Sequence, residues 1–258
     1  MPFTGSHPAA VLPFLRWGLV PSALVIGSMV PDLPYFVRLP VDEMLTHSWH
    51  GAVTVDVALG AVVFVVWQDM LAPALLAIAP SGVRARLDPS LPVGVVEHVR
   101  TVRAAAAAVS LAVGALTHVT WDAFTHADRW GSTHIAWLAE RQGALPGYRW
   151  AQYASGVIGA VLIAGFLIRW YRRTPPENAG SRRVPALPRV VAGAVWALLG
   201  LVALVGAVVG ARKPLFADGG PDLREASVLA ATSGGSAAGV TAFVLAIVWT
   251  LRYRRGSP

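Results

Sequence analysis

Leu116-Thr117-His118-Val119-Thr120-Trp121-Asp122-Ala123-Phe124-Thr125-His126 is the stretch on which the reading of this chain turns. It closes a run of small apolar residues, Ala104 to Ala115, that is suited to a lipid bilayer. His118, Asp122 and His126 are spaced i, i+4 and i+8, so a helix sets all three along one stripe. Two imidazoles and a carboxylate arranged this way are natural ligands for zinc or a similar divalent ion. Ionisable groups at the edge of a span are costly, which favours a functional reason for them. The plainer alternative is a polar helix end at the water boundary.

Composition supports a membrane setting. Of 258 residues, 55% are apolar and 14% charged, against about 25% charged in soluble domains. The expected fold is all-α: a polytopic integral membrane helical bundle with a broken N-terminal helical hairpin. There is no cysteine, so a metal would be held by His, Asp, Glu or water. The net charge of +7 does not point to nucleic acid, because the arginines cluster in loops between apolar runs. No Lys or Arg precedes Arg16, which argues against a cleaved signal peptide.

Outward from the metal stripe, the apolar segments order themselves. Residues 8 to 30 are interrupted by Pro8, Pro13 and Pro21. They predict two short helices, about 8–18 and 22–30, that either fold back as a hairpin or enter the membrane. A second span runs from Gly51 to Trp67, with Gln68-Asp69 at its far end and Leu71 to Pro80 at the interface. The third is Ala104 to Phe124, the fourth Ala151 to Trp170, the fifth Val190 to Ala211 and the sixth Ala226 to Leu251. Residues 1–150 are expected to form the membrane domain carrying the site, and residues 151–258 to add further helices of the same bundle.

The arginines set an expected topology. Loops 81–103 (Arg84, Arg86, Arg100, Arg103) and 171–189 (Arg172, Arg173, Arg182, Arg183, Arg189) and the tail 252–258 alternate with Arg-poor loops 36–50, 127–150 and 212–225. Basic loops face the cytoplasm, so the C-terminus is expected inside and the site outward. The bias toward Ala, Val, Gly and Arg associates the chain with a GC-rich bacterium, hence a multi-pass protein of the bacterial cytoplasmic (inner) membrane.

Other candidates lie at the ends of apolar segments. His7 stands in Ser6-His7-Pro8, Asp32 in Pro31-Asp32-Leu33-Pro34, and His47 and His50 in Thr46-His47-Ser48-Trp49-His50-Gly51. Singly, each has a plain explanation: a helix cap or surface His, Pro-Asp turn chemistry, interfacial histidines with Ser48 as an N-cap. Together they give five histidines and two aspartates that a hairpin would bring to one face.

His7, Pro31-Asp32, Thr46-His47-Ser48 and Gly114-Ala115-Leu116-Thr117-His118-x-x-x-Asp122 together resemble the predicted membrane-bound metal-dependent hydrolases (DUF457-like). The opening Met1-Pro2-Phe3-Thr4, with Ser6-His7-Pro8 and Gly27-Ser28-Met29-Val30-Pro31-Asp32, is more similar still to the DUF4184 family. These likenesses cover about residues 1–130. The ligand order also resembles, distantly, zinc-dependent phospholipase C, whose additional late His and Glu have only positional counterparts here, His134 and Glu140.

The resemblance implies hydrolysis of a phosphoester, including one on a lipid head group, by metal-activated water. It implies one to three divalent ions, zinc first. His7, His47, His118, Asp122 and His126 would be ligands, and Asp32 a ligand or the general base. His50, Asp56 and His134 are secondary candidates. The implied partners are membrane lipids and a small-molecule or lipid phosphoester substrate, with no nucleic acid. Two other function classes fit the same residues: a metal ion or proton transporter, and a scaffold with a structural metal. A transporter would place ionisable groups near mid-bilayer, whereas here they gather at span ends.

Weaker features complete the reading. His98, in a basic loop, reads as a surface residue. Trp49, Trp121, Trp130, Trp137 and Trp150 suit an aromatic belt. Gly206-x-x-x-Gly210 and Gly235-x-x-x-Gly239 permit close helix packing.

Overall fold

A computed structural model describes residues 4–87, 104–176, 184–217 and 220–255. His98, Arg100, Arg103, Arg182 and Arg183, named above for their loops, lie outside the described residues. The architecture is all-α, with one two-residue β-ladder, Arg141–Gln142 against Leu145–Pro146. Among the described residues, five helices are long and apolar enough to cross a membrane: Val55–Ile78, Ala104–His134, Gly147–Arg173, Arg189–Leu215 and Leu223–Arg252. Together with the broken N-terminal segment they match the six apolar units expected.

The chain forms two compact units. The first takes in residues 1–34, 39–64 and 98–173, and the second residues 35–38, 65–97 and 174–258, over the described parts of those ranges.

In the first unit the N-terminal segment folds back. The short helix expected over about 8–18 is a 3-10 helix, Thr4–Arg16. Pro8 and Pro13 remove two N–H donors and break an i→i−4 ladder, so the tighter coil replaces it. Trp17-Gly18 turns the chain, Gly18 taking φ +70°. Helix α1 (Pro21–Gly27) begins with proline at a position where no donor is needed. The N–H of Val20 is satisfied by Ser110 Oγ at 2.8 Å. The 3-10 helix packs on the span Gly147–Arg173 where Gly159 lets Ser6 approach.

Helix α1 packs on the long helix Ala104–Thr125 through two glycines. A Cβ on Gly27 would strike the Leu111 carbonyl, and one on Gly114 the Leu24 carbonyl. Trp121 Nε1 donates to Ser155 Oγ at 3.1 Å, tying the same long helix to Gly147–Arg173. The belt candidates Trp49, Trp121, Trp130, Trp137 and Trp150 are all exposed.

The second span differs from expectation. Gln68-Asp69 does not end it: Trp67–Leu71 forms a π-turn that carries the helix on through Ala72–Ile78. The wider turn absorbs the polar pair inside the helix, and Gln68 is buried.

In the second unit, Arg189–Leu215 and Leu223–Arg255 form a close antiparallel pair. Gly206 and Gly210 meet the backbone of Ser233 and Leu229, as small residues should. On the facing helix it is Gly234, against Ala203, that fills this role, while Gly235 meets the Phe36 ring and Gly239 meets nothing. Arg84, expected in a solvated loop, is buried. It donates to the carbonyls of Leu76 and Val184, so its guanidinium caps a helix end instead of facing water.

Candidate metal centre

Five residues far apart in sequence converge inside the first unit. Their ligand atoms form two overlapping groups, His7–Asp32–His118 and His47–His118–Asp122, each within 4.8 Å. All five are buried, His118 completely.

Local structure explains each position. His7 lies in the first turns of the 3-10 helix. Asp32 ends the turn Val30–Asp32, and Thr46 Oγ1 donates to the Pro31 carbonyl at 3.1 Å, pinning that turn. His47 caps the short helix Glu43–Thr46, whose N-terminus is held by Asp42. Ser48 caps the next helix, Trp49–Val53, accepting from Gly51 N at 2.9 Å. His118 and Asp122 lie one turn apart on Ala104–Thr125.

The nitrogens and oxygens interleave. His118 Nε2 is 3.4 Å from Asp122 Oδ2 and 3.6 Å from Asp32 Oδ1. His47 Nε2 is 3.3 Å from Asp32 Oδ1 and 3.6 Å from Asp122 Oδ2. His7 Nε2 is 3.8 Å from Asp122 Oδ1, and His126 Nδ1 is 3.4 Å from the same oxygen. The distance from His7 to Asp122, with the 2.5 Å bond from Thr4 Oγ1 to Asp32 Oδ2, settles that the N-terminal segment returns to the site face.

The tautomer of His118 follows from its partner. Its Nδ1 lies 2.8 Å from the Ser28 carbonyl, which only accepts, so Nδ1 carries the proton. In the neutral ring, Nε2 then presents a lone pair toward two carboxylate oxygens. Such an array needs a positive charge between its members, either a further proton or a metal ion. His7 Nε2, His118 Nε2 and Asp122 Oδ1 are buried and make no hydrogen bond among the described residues. Ligands about 2.0–2.1 Å from a tetrahedral ion stand roughly 3.4 Å apart, and the observed separations lie around that figure. This donor set can hold a metal ion.

Electrostatics outside the spans agree. Burial, reinforced by His118, holds the His7 imidazole down to about 4, so it is neutral and able to ligate at pH 7. Burial pushes the Asp32 carboxyl up, but the His47 hydrogen bond, the His118 charge and the Thr4 hydroxyl outweigh it, and the group stays below the usual carboxylate range.

The remaining candidates are placed differently. His126 is at the rim, its side chain 25% exposed, with Nε2 3.2 Å from Gln152 Nε2. Asp56 is fully buried in the second span, and both its oxygens lack a hydrogen-bond partner among the described residues. It stays within electrostatic reach of His47 and His118. His50 is exposed on Trp49–Val53. His134 is exposed and stacks on Trp130, and Glu140 is exposed.

Sequence reasoning missed four neighbours: Thr4, Ser28, Gln152 and Arg129, whose Nη1 donates to the His47 carbonyl at 3.3 Å. Thr4 and Ser28 stand within the stretches that carry the family likeness, and Gln152 is a polar residue opening an apolar span; Arg129 carries no signal.

No curated protein and no solved structure matches the chain. The family model described as "Domain of unknown function (DUF4184)" matches residues 1–251, well past the first 130 residues on which the likeness was read. The chain therefore belongs to the DUF4184 family.

Proposed function

We propose that this protein is a membrane-embedded, metal-dependent hydrolase of phosphoesters, with lipid head groups as the natural substrate class. The observation that carries the reading is His118 Nε2, buried, without a hydrogen bond among the described residues and set against Asp32 and Asp122 in a closed donor cage. His7, His47, His118 and Asp122 would hold the ion, with Asp32 as a further ligand or general base, and zinc suits these donors. A divalent ion held there supplies an activated water at neutral pH and positive charge for an ester oxygen.

The chain's own groups do the rest. Ser28 fixes the His118 ring and Thr4 fixes the Asp32 carboxylate, the kind of outer support that orients ligands. Asp32, kept ionised, is able to accept a proton from water. His118 offers one inward nitrogen shared by both ligand groups, which favours one primary ion. The likeness to membrane-bound metal-dependent hydrolases and zinc-dependent phospholipase C supplies the reaction class. The arginine distribution supports a bacterial inner-membrane protein with its site outward and its C-terminus in the cytoplasm.

One observation favours a second reading. Asp56, buried without a partner inside a span, is what a cation or proton pathway would use. The deciding experiment is metal analysis of the purified protein followed by hydrolysis of a generic phosphodiester, with Asp122→Ala as control. Metal with Asp122-dependent turnover supports the hydrolase. Cation uptake into liposomes, lost in the same variant, supports the transporter. Metal with neither supports a scaffold.

A further inference from the structure

Two arginines are tethered to the rim of the cage, and neither is neutralised by a carboxylate among the described residues. Arg129 Nη1 donates to the His47 carbonyl at 3.3 Å. Arg149 Nη1 donates to Gln152 Oε1 at 3.2 Å, and Gln152 reaches His126 through its Nε2. His47 and His126 both abut Asp122. Each guanidinium is thus one or two residues from the central carboxylate, yet they come from separate segments. Arg129 follows the turn at Asp128, which takes φ 58°, and Arg149 lies in the first turn of Gly147–Arg173.

Both arginines are half-buried. Among the described residues neither has a carboxylate within 4 Å; the ion pairs of the cage itself run between histidines and Asp32 or Asp122. The neighbouring Asp128 is exposed and makes no ion pair with Arg129. Arg149 also lies over the Tyr148 ring, 5.4 Å from its centroid, which helps hold the guanidinium in place. Each side chain commits one of five N–H groups to its anchor.

A planar fork with spare donors at fixed positions matches the oxygens of a phosphate. Topology alone does not account for them: with Arg141 they lie in the loop 127–150, on the site side of the expected topology, where the positive-inside rule asks for no arginine.

We infer that Arg129 and Arg149 form an anion-binding rim that seats the phosphate group of the substrate beside the metal cage. This deepens the hydrolase reading and rests on it for the identity of the reacting group. The shared chemistry is a phosphate dianion or monoester, either free or as a lipid head group.

The test uses the full-length protein in neutral detergent, loaded with zinc, titrated separately with inorganic phosphate and with a short-chain phosphatidic acid. Wild type is expected to bind one or both. In Arg129→Gln/Arg149→Gln, affinity is expected to fall at least about tenfold while zinc content is unchanged. Arg129→Lys/Arg149→Lys should recover part of it. Tighter binding of the lipid than of inorganic phosphate identifies a head group, and equal binding identifies free phosphate. Should wild type bind neither, or should the Gln pair bind like wild type with its zinc intact, the rim is overturned. Should the Gln pair lose zinc as well, the Lys pair decides: restored zinc without restored phosphate binding overturns the rim. Arginine-dependent phosphate binding in a protein that takes up no zinc keeps the rim and removes the metal hydrolase.

Discussion

The imidazole of His7 lies face to face on that of His118, with ring centroids 3.8 Å apart and planes 16° from parallel. Stacked imidazoles in a buried site resist protonation together, because each charge would meet the other across a low-dielectric gap. The stack also brings a residue of the N-terminal 3-10 helix onto the long helix Ala104–Thr125. Metal-free protein should therefore feel acid through His7. Its folded-state value of about 4 lies below the ordinary 6.5, so the unfolded chain binds the extra proton first as pH falls. Stability is full above about 6.5, declines between there and about 4, and levels off below. Thermal unfolding of chelator-treated protein across this range should show that slope. His7→Gln should flatten it, and an unchanged slope in the variant would assign the effect elsewhere.

Asp122 is the centre of the cage, facing nitrogens of His7, His47, His118 and His126 at 3.4–3.8 Å. Asp122→Asn keeps the side chain's shape but removes the charge that faces them. Metal affinity is expected to fall by at least about tenfold, read by elemental analysis after dialysis against a graded metal buffer. His126→Ala should cost less, since His126 lies at the rim and outside both tight ligand groups. The reverse order would move the ion outward, toward Gln152.

The interlock of Gly27 and Gly114 holds the carbonyl of Ser28 against His118. A methyl group at position 114 would lie 2.7 Å from Ser28 N, so helix α1 must shift. Gly114→Ala should destabilise by about 1–3 kcal/mol and weaken metal binding without touching a ligand. Thermal unfolding with and without zinc checks both. A lower midpoint with wild-type zinc affinity would show that Ser28 does not position the ring.

The convergence of ligands was legible because each sits at the end of an apolar run, where chemistry is expensive and the residue types are few. His118 and Asp122 were fixed by helical spacing alone. The fold-back of residues 4–34 stayed open, since prolines announce a break but not the direction in which the chain leaves it. The π-turn at Gln68-Asp69 was hidden for a related reason: two polar residues after an apolar run read as a water boundary, and the wider turn that buries Gln68 leaves no mark in composition. Thr4, Arg129 and Gln152 act through partners 28, 82 and 26 residues away. Such pairings depend on tertiary contacts that periodicity does not encode. Arg84 shows the same limit from the other side, because a loop arginine and a helix-capping arginine look alike until Val184 is seen beneath it.

Asp56 separates structure from function most sharply. It is fully buried, and neither carboxylate oxygen has a hydrogen-bond partner among the described residues. An unsatisfied buried polar group costs about 1–3 kcal/mol, more if charged, and Leu in its place removes that cost while keeping the branch at Cγ. Asp56→Leu should therefore raise the thermal midpoint while lowering whichever activity the protein has, the trade expected where a destabilising group is kept for use. Asp56→Asn should not raise it, because an unpaired amide is left behind. Turnover of a phosphodiester and cation uptake into liposomes, measured on the Leu variant, then tell which activity Asp56 serves. Loss of uptake with hydrolysis intact would place Asp56 on an ion path separate from the cage. Loss of hydrolysis alone would tie it to His47 and His118, within whose electrostatic reach it lies. A Leu variant that is stabler and fully active in both assays would leave Asp56 with no function.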